Sequence, residues 1–178
     1  MPAPWSRGYV QVYTGTGKGK TTAALGLALR AAGHGLRTYI GQFMKGRPSG
    51  EHRAAKRLGA FITIEAYGGE EFLHPDAPPS PVEVARAREG LARGRAAMLS
   101  GDYRIVVLDE VCVAIRFGLL SAAEVLAVVR ERPEGVELVL TGRGAPPELL
   151  AAADLVSDIR CVKHYLDQGV EAREGIEE

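Results

Sequence analysis

The chain has 178 residues, 22 basic against 22 acidic side chains and 46% hydrophobic residues, which suits one domain over 1–178 burying roughly two thirds of its unfolded surface. The balanced charge leaves no general field to draw in nucleic acid or an anionic membrane. No apolar run reaches bilayer length and the N-terminal residues lack a signal-type apolar core, so a soluble, cytoplasmic protein without membrane insertion is expected.

The first element is an alternating segment, Tyr9 to Tyr13, that reads as a strand. It runs into Gly15-Thr16-Gly17-Lys18-Gly19-Lys20-Thr21-Thr22 and then into a helix-like stretch from Ala23 to Ala32. Strand, glycine-rich turn and helix together form the context of a phosphate-binding loop, in which backbone N–H groups and the helix start face an anion. Lys20 is placed to reach terminal phosphates and the Thr21 hydroxyl to ligate a divalent metal. The spacing is irregular: the usual first glycine would fall at position 14, which is Thr14, and Gly15 follows one residue late. A shortened or rearranged cradle is expected.

Arg37 to Phe43 reads as a second strand, and Gln42, Lys45 and Glu51 lie at or beyond its carboxyl end, where ligands gather in a parallel sheet. A solvated loop is the equal alternative for Lys45. A short helix over 52–58, a third strand over 61–67 and a long loop over 68–81 follow, and Pro81 opens a helix to about Leu99 whose Gly90 and Gly94 are expected to weaken it. Tyr103 to Glu110 is a run of branched residues ending in two carboxylates, as a doubly covered strand would that delivers Asp109 to a metal. Glu110 would orient water, position the metal or hold a loop, or the pair would simply cap the next helix. Helices over 111–117, 121–130 and 147–152 alternate with strands over 136–140 and 155–162, and Thr141-Gly142-Arg143 falls at a strand end, making Arg143 a phosphate or substrate contact. Cys112 and Cys161 read as packed, reduced thiols, and the four histidines form no zinc signature with them. The alternation predicts an α/β fold, a mostly parallel central sheet flanked by helices.

These motifs, with Arg30 to Gly35, Gln42 to Gly46, Gly50-Glu51, Leu108-Asp109-Glu110, Thr141-Gly142-Arg143, Ala153 to Val156, Val162-Lys163-His164 and Gly175-Ile176-Glu177, resemble in order the P-loop corrinoid adenosyltransferases of cobalamin biosynthesis. The resemblance implies transfer of the 5′-deoxyadenosyl group of ATP to the cobalt(I) of a corrinoid such as cob(I)yrinic acid a,c-diamide or cob(I)alamin, with release of triphosphate. It implies ATP, Mg2+ or Mn2+ and a reduced corrinoid as the small molecules bound. The nucleotide would lie in the loop in the reverse sense to common hydrolases, leaving the ribose 5′ carbon accessible. Lys20, Asp109 and Glu110 would be catalytic; Gly15 to Thr22 and Arg143 would hold the nucleotide; Thr21, Asp109 and Glu110 the metal; Gln42, Lys45, Glu51, Tyr67 and Phe72 would face the corrinoid. Tyr67 and Phe72 are the aromatics available after the third strand, where the family uses aromatics to displace the lower axial ligand. A homodimer and a reductase supplying cobalt(I) are the expected partners. The other readings of the same loop are a P-loop ATPase or small-molecule kinase and an ATP-gated regulatory or protein-binding module.

Overall fold

The computed structural model describes residues 5–69 and 78–177. In chain order its elements are β1 (Val10–Thr14), α1 (Lys20–Ala32), β2 (Thr38–Phe43), α2 (Gly50–Leu58), β3 (Ile62–Tyr67), α3 (Pro81–Leu99), β4 (Ile105–Asp109), α4 (Val111–Arg116), α5 (Ala122–Arg130), β5 (Glu137–Thr141), α6 (Pro147–Ala152) and β6 (Leu155–Asp158). The six strands form one sheet in the order β3-β2-β4-β5-β1-β6, and every neighbouring pair is parallel. The expected α/β fold is present, with a sheet that is wholly rather than mostly parallel.

Alternation along the central strands divides the core in two. Val106 and Leu108 of β4 pack with Ala87 and Leu91 of α3, Val125 of α5 and Leu149 of α6. Their neighbours Ile105 and Val107 point the other way, into a layer with Ala24, Ala28 and Ala31 of α1 and Ala55 of α2. Four consecutive buried apolar residues in β4 are therefore a consequence of helices on both faces. The alanine stripe of α1 lets that helix lie close to the sheet, and its first turn is carried directly beneath the loop that follows β1.

Three details differ from the sequence reading. The glycines of α3 do not weaken it: the helix runs unbroken through Gly90 and Gly94, capped by Ser80 with a reciprocal Glu83 bond. A Cβ on Gly90 would lie 2.7 Å from Cγ of Tyr67, and one on Gly94 2.5 Å from Cδ2 of Leu108, so both glycines let the helix approach the sheet. The last strand ends at Asp158 rather than at Val162, because its partner β1 ends at Thr14, where the loop turns away. Beyond that point Cys161 is exposed, while Cys112 alone is packed in the core; burial pushes the Cys112 thiol up to about 12, with Glu110 adding to the effect.

Candidate active site

The carboxyl ends of β1, β2, β4 and β5 bring the predicted residues to one edge of the sheet. At β1 the chain keeps strand geometry through Thr14, whose hydroxyl accepts from the Ala145 N–H at 3.3 Å. Gly15 then turns with φ 98° and lies so close to the exit of β6 that a Cβ would meet Asp158 Oδ1 and the Ile159 carbonyl at 2.4 Å. The late glycine is thus explained by where the turn begins. Gly17 is equally confined against Arg160, and its N–H donates to the Ile159 carbonyl at 2.7 Å, so this amide serves the scaffold instead of facing the loop. Gly19 turns with φ 125° into α1. Thr16 and Thr22 are exposed on the loop crest and the first helical turn.

The two lysines of the loop point to different places. Lys20 is buried, and its Nζ donates back across the loop to the carbonyls of Gly15 at 2.9 Å and Gly17 at 2.7 Å. Burial draws its pKa below the ordinary range against the supporting charges of Glu110 and Asp109, and Arg143 adds to the lowering. Lys18 faces the C-terminal segment instead, bonding Glu177 at 2.7 Å, the Ile176 carbonyl at 3.0 Å and Tyr165 at 3.2 Å.

Asp109 closes β4 and is 1% exposed. Three side chains donate to its carboxylate: Thr141 at 2.7 Å, Thr21 at 2.9 Å and Gln42 at 3.1 Å. Gln42 also donates to Glu51 at 3.2 Å, and Glu51 is bridged by Lys45 at 2.6 Å. Burial opposes the charge of Glu51, yet the bonds from Lys45 and Ser49 hold its carboxyl down at about 2. Gln42 and Glu51 thus belong to the Asp109 network, and among the described corrinoid-facing candidates only Lys45 and Tyr67 line the adjoining cleft. Phe72 lies outside the described residues.

That cleft has a volume of about 650 Å³ and includes Met44, Tyr67, Glu110, Val113, Phe117 and Arg143 in its lining. Glu110 stands at its junction with Asp109 in a left-handed conformation, φ 61°, its N–H donating to Thr141 Oγ1 at 2.9 Å. Among the described residues the only other non-glycine with positive φ is Met44, φ 63°, which also lines the cleft. Such conformations cost on the order of 1–3 kcal/mol each and concentrate at functional sites. Burial beside Asp109 raises the pKa of Glu110, while Lys20 and Arg143 oppose the rise. Arg143 is placed by Gly142, where a Cβ would lie 2.9 Å from Cβ of Cys112, so the turn after β5 tucks against α4.

Several partners escaped the sequence reading. Thr141 was visible as a strand end, but its grip on Asp109 depends on β5 and β4 being neighbours. Tyr67 is steadied by a cluster: its hydroxyl donates to Glu65 and lies 2.9 Å from the Tyr39 hydroxyl, while Arg93 bonds the other oxygen of Glu65 at 3.0 Å. The period-two placement of Glu65 and Tyr67 on β3 was the available signal.

Comparison with known proteins agrees with this geometry. The profile of the family described as ATP:corrinoid adenosyltransferase BtuR/CobO/CobP matches residues 6–177. A corrinoid adenosyltransferase of Escherichia coli (strain K12) is 37% identical over 172 residues, 96% of this chain and 86% of the relative. Corrinoid adenosyltransferases of Pseudomonas aeruginosa and Salmonella typhimurium are 34% and 36% identical over the same share of this chain and 84% and 86% of their own lengths. With the glycine-lysine loop, the Asp109 network and the cleft on one edge of a parallel sheet, and a match across nearly its whole length, the chain belongs to the ATP:corrinoid adenosyltransferase family.

Proposed function

We propose that this chain carries out the adenosyl transfer of its family with the triphosphate of ATP in the loop from Gly15 to Thr22 and the reduced corrinoid in the cleft beside Tyr67. The observation that carries the reading is the junction at Glu110, where a polar loop site adjoins a cleft with apolar walls at Met44, Val113 and Phe117. Cobalt(I) supplies the electron pair that forms the bond to the ribose 5′ carbon. The carbon–oxygen bond to the triphosphate breaks, and its electron pair leaves on the triphosphate. No serine, cysteine or general base is consumed, so the side chains act by alignment, exclusion of water and stabilisation of the leaving charge. Lys20 and Arg143 supply positive charge there, and the buried carboxylate of Asp109 and the hydroxyl of Thr21 supply hard oxygen ligands.

The same residues fit a divalent cation, Mg2+ or Mn2+. Oε1 of Gln42 is buried with no hydrogen-bond partner among the described residues, while its amide nitrogen serves Asp109 and Glu51. An acceptor left open beside a carboxylate and a threonine suits water held by a cation. Among the described residues no group of three or more His, Cys, Asp or Glu side chains converges, so phosphate oxygens and water would complete the coordination. When bound, the cation neutralises charge on the phosphate oxygens.

A homodimer and a reductase feeding cobalt(I) belong to the same reading and rest on the family resemblance; a monomer in sedimentation at working concentration would count against the dimer. A cytoplasmic setting is supported by two unbridged cysteines. Among the described residues no helix is long and apolar enough to cross a membrane. The decisive assay mixes the protein with ATP, a divalent metal and a chemically reduced corrinoid. A light-sensitive cobalt–carbon product with free triphosphate is expected, whereas ADP and phosphate alone would point to the ATPase or kinase chemistry of other phosphate loops.

A further inference from the structure

Among the described residues, four cationic side chains and two carboxylates line the cleft. Arg86 of α3, Arg116 at the end of α4 and Arg143 after β5 all line it, together with Lys45. Lys45 is matched by Glu51 at 2.6 Å. None of the three arginines has an ion-pair partner among the described residues, and all three are exposed. Among the described residues, the two carboxylates of the lining do not balance them: Glu83 is engaged by the Ser80 N–H at 2.7 Å as part of the α3 cap, and Glu110 stands beside Lys20, Lys45 and Arg143.

Arg143 acts on Lys20 and Glu110 and so belongs to the phosphate side of the site. Arg86 lies on α3 one turn after Glu83, and Arg116 ends α4 in the lining shared with the apolar wall of Val113, Phe117 and Leu119. The stem of Arg116 passes Gly144, where a Cβ would be 3.5 Å from its Cδ. A guanidinium is charged at every working pH and offers paired N–H donors matched to a carboxylate, while a primary amide presents only a neutral oxygen to it.

We propose that Arg86 and Arg116 are specificity determinants that select a corrinoid whose peripheral acetate and propionate arms are still free carboxylates over one in which those arms are amidated. The inference rests on the reading that the cleft receives the corrinoid. A preference of about tenfold in KM is expected, which is about 1.4 kcal/mol shared between two exposed charge pairs. The preference weakens as salt screens the rim.

The test is steady-state kinetics with two corrinoids of opposite character: cob(I)yrinic acid a,c-diamide, which keeps free carboxylates, and cob(I)alamin, whose arms are amides. The wild-type protein is expected to show the lower KM for the first. Arg86→Ala with Arg116→Ala should raise that KM about tenfold and leave the KM for cob(I)alamin and for ATP nearly unmoved, while Arg86→Lys with Arg116→Lys should recover part of the loss. Arg88→Ala, which removes a surface pair with Glu124 at 3.0 Å, serves as the control. An equal rise for both corrinoids would overturn the inference, as would a wild type with no preference. A rise confined to ATP would also overturn it, by assigning the arginines to the triphosphate. Failure of the underlying reading has a separate signature: no adenosylated product from either corrinoid with the wild-type protein.

Discussion

Thr141 does two things with one hydroxyl. It donates to Asp109 at 2.7 Å and accepts the N–H of Glu110 at 2.9 Å, so it sets both the carboxylate and the left-handed residue after it. Thr141→Val keeps the shape and removes both bonds inside the core; leaving such groups unpaired costs about 1–3 kcal/mol. Urea unfolding should show that loss, and adenosyl transfer should fall with it, while Thr141→Ser restores both. Unchanged turnover in the valine variant would show that the orientation of Asp109 does not need Thr141. Glu51 carries a pH-dependent contribution of the opposite kind. Its carboxyl is held at about 2 against an ordinary value of 4.5, so its contribution to stability is complete above the ordinary value and is lost as the pH falls toward the folded one. Lys45→Met removes the bridging ammonium, and its stability deficit against the parent should be largest near neutrality and shrink across that acid window. Urea midpoints measured across pH check this; a deficit constant down to the acid end would uncouple the bridge from Glu51.

At the scale of elements, the same substitution is expected to have opposite signs in two helices. Gly26 lies on the exposed face of α1 with open space where a Cβ would stand. Gly26→Ala should stabilise by about 0.5–1 kcal/mol through the loss of unfolded-chain freedom. Gly90 faces the ring of Tyr67, and Gly90→Ala should destabilise by about 1–3 kcal/mol despite its better helix propensity. Because that ring lines the cleft, the corrinoid KM should rise in the Gly90 variant and stay constant in the Gly26 variant. Denaturation midpoints and corrinoid titrations separate the two. This pair also marks what the sequence can convey. Alternating strands and helices, the glycine-lysine loop and Leu108-Asp109-Glu110 are local patterns, and the structure places them as read. Gly90 looked like a flaw in a helix, since its reason lies across space in a tyrosine of β3. The Gln42-Asp109 contact likewise depends on β2 and β4 pairing, and the left-handed turns at Met44 and Glu110 fall on residues whose types do not announce them.

For the molecule as a whole, the glycine-lysine loop is completed by residues distant in sequence. The Ile159 N–H donates to the Thr14 carbonyl at 2.9 Å, and the Gly17 N–H donates to the Ile159 carbonyl, so the exit of β6 forms the outer wall of the loop. The final segment adds a clasp: Glu177 accepts from Lys18 and from the Arg173 N–H at 2.8 Å, and Tyr165 donates to the same carboxylate. Lys18 precedes the last loop glycine, so a tail that holds its side chain restricts the loop; with the triphosphate placed there as proposed, preorganisation of this kind acts on affinity. Ending the chain at Ala172 removes the clasp and leaves every strand and helix of the sheet layers in place. The truncated protein is therefore expected to unfold at nearly the same urea concentration as the full chain, with faster amide exchange across Gly15 to Gly19 and a KM for ATP raised severalfold. Glu177→Gln, which keeps the tail and weakens the ion pair, should fall between the two. If truncation leaves both loop exchange and the KM for ATP unchanged, the tail is packing at the surface only, and the loop owes its shape to β6 alone.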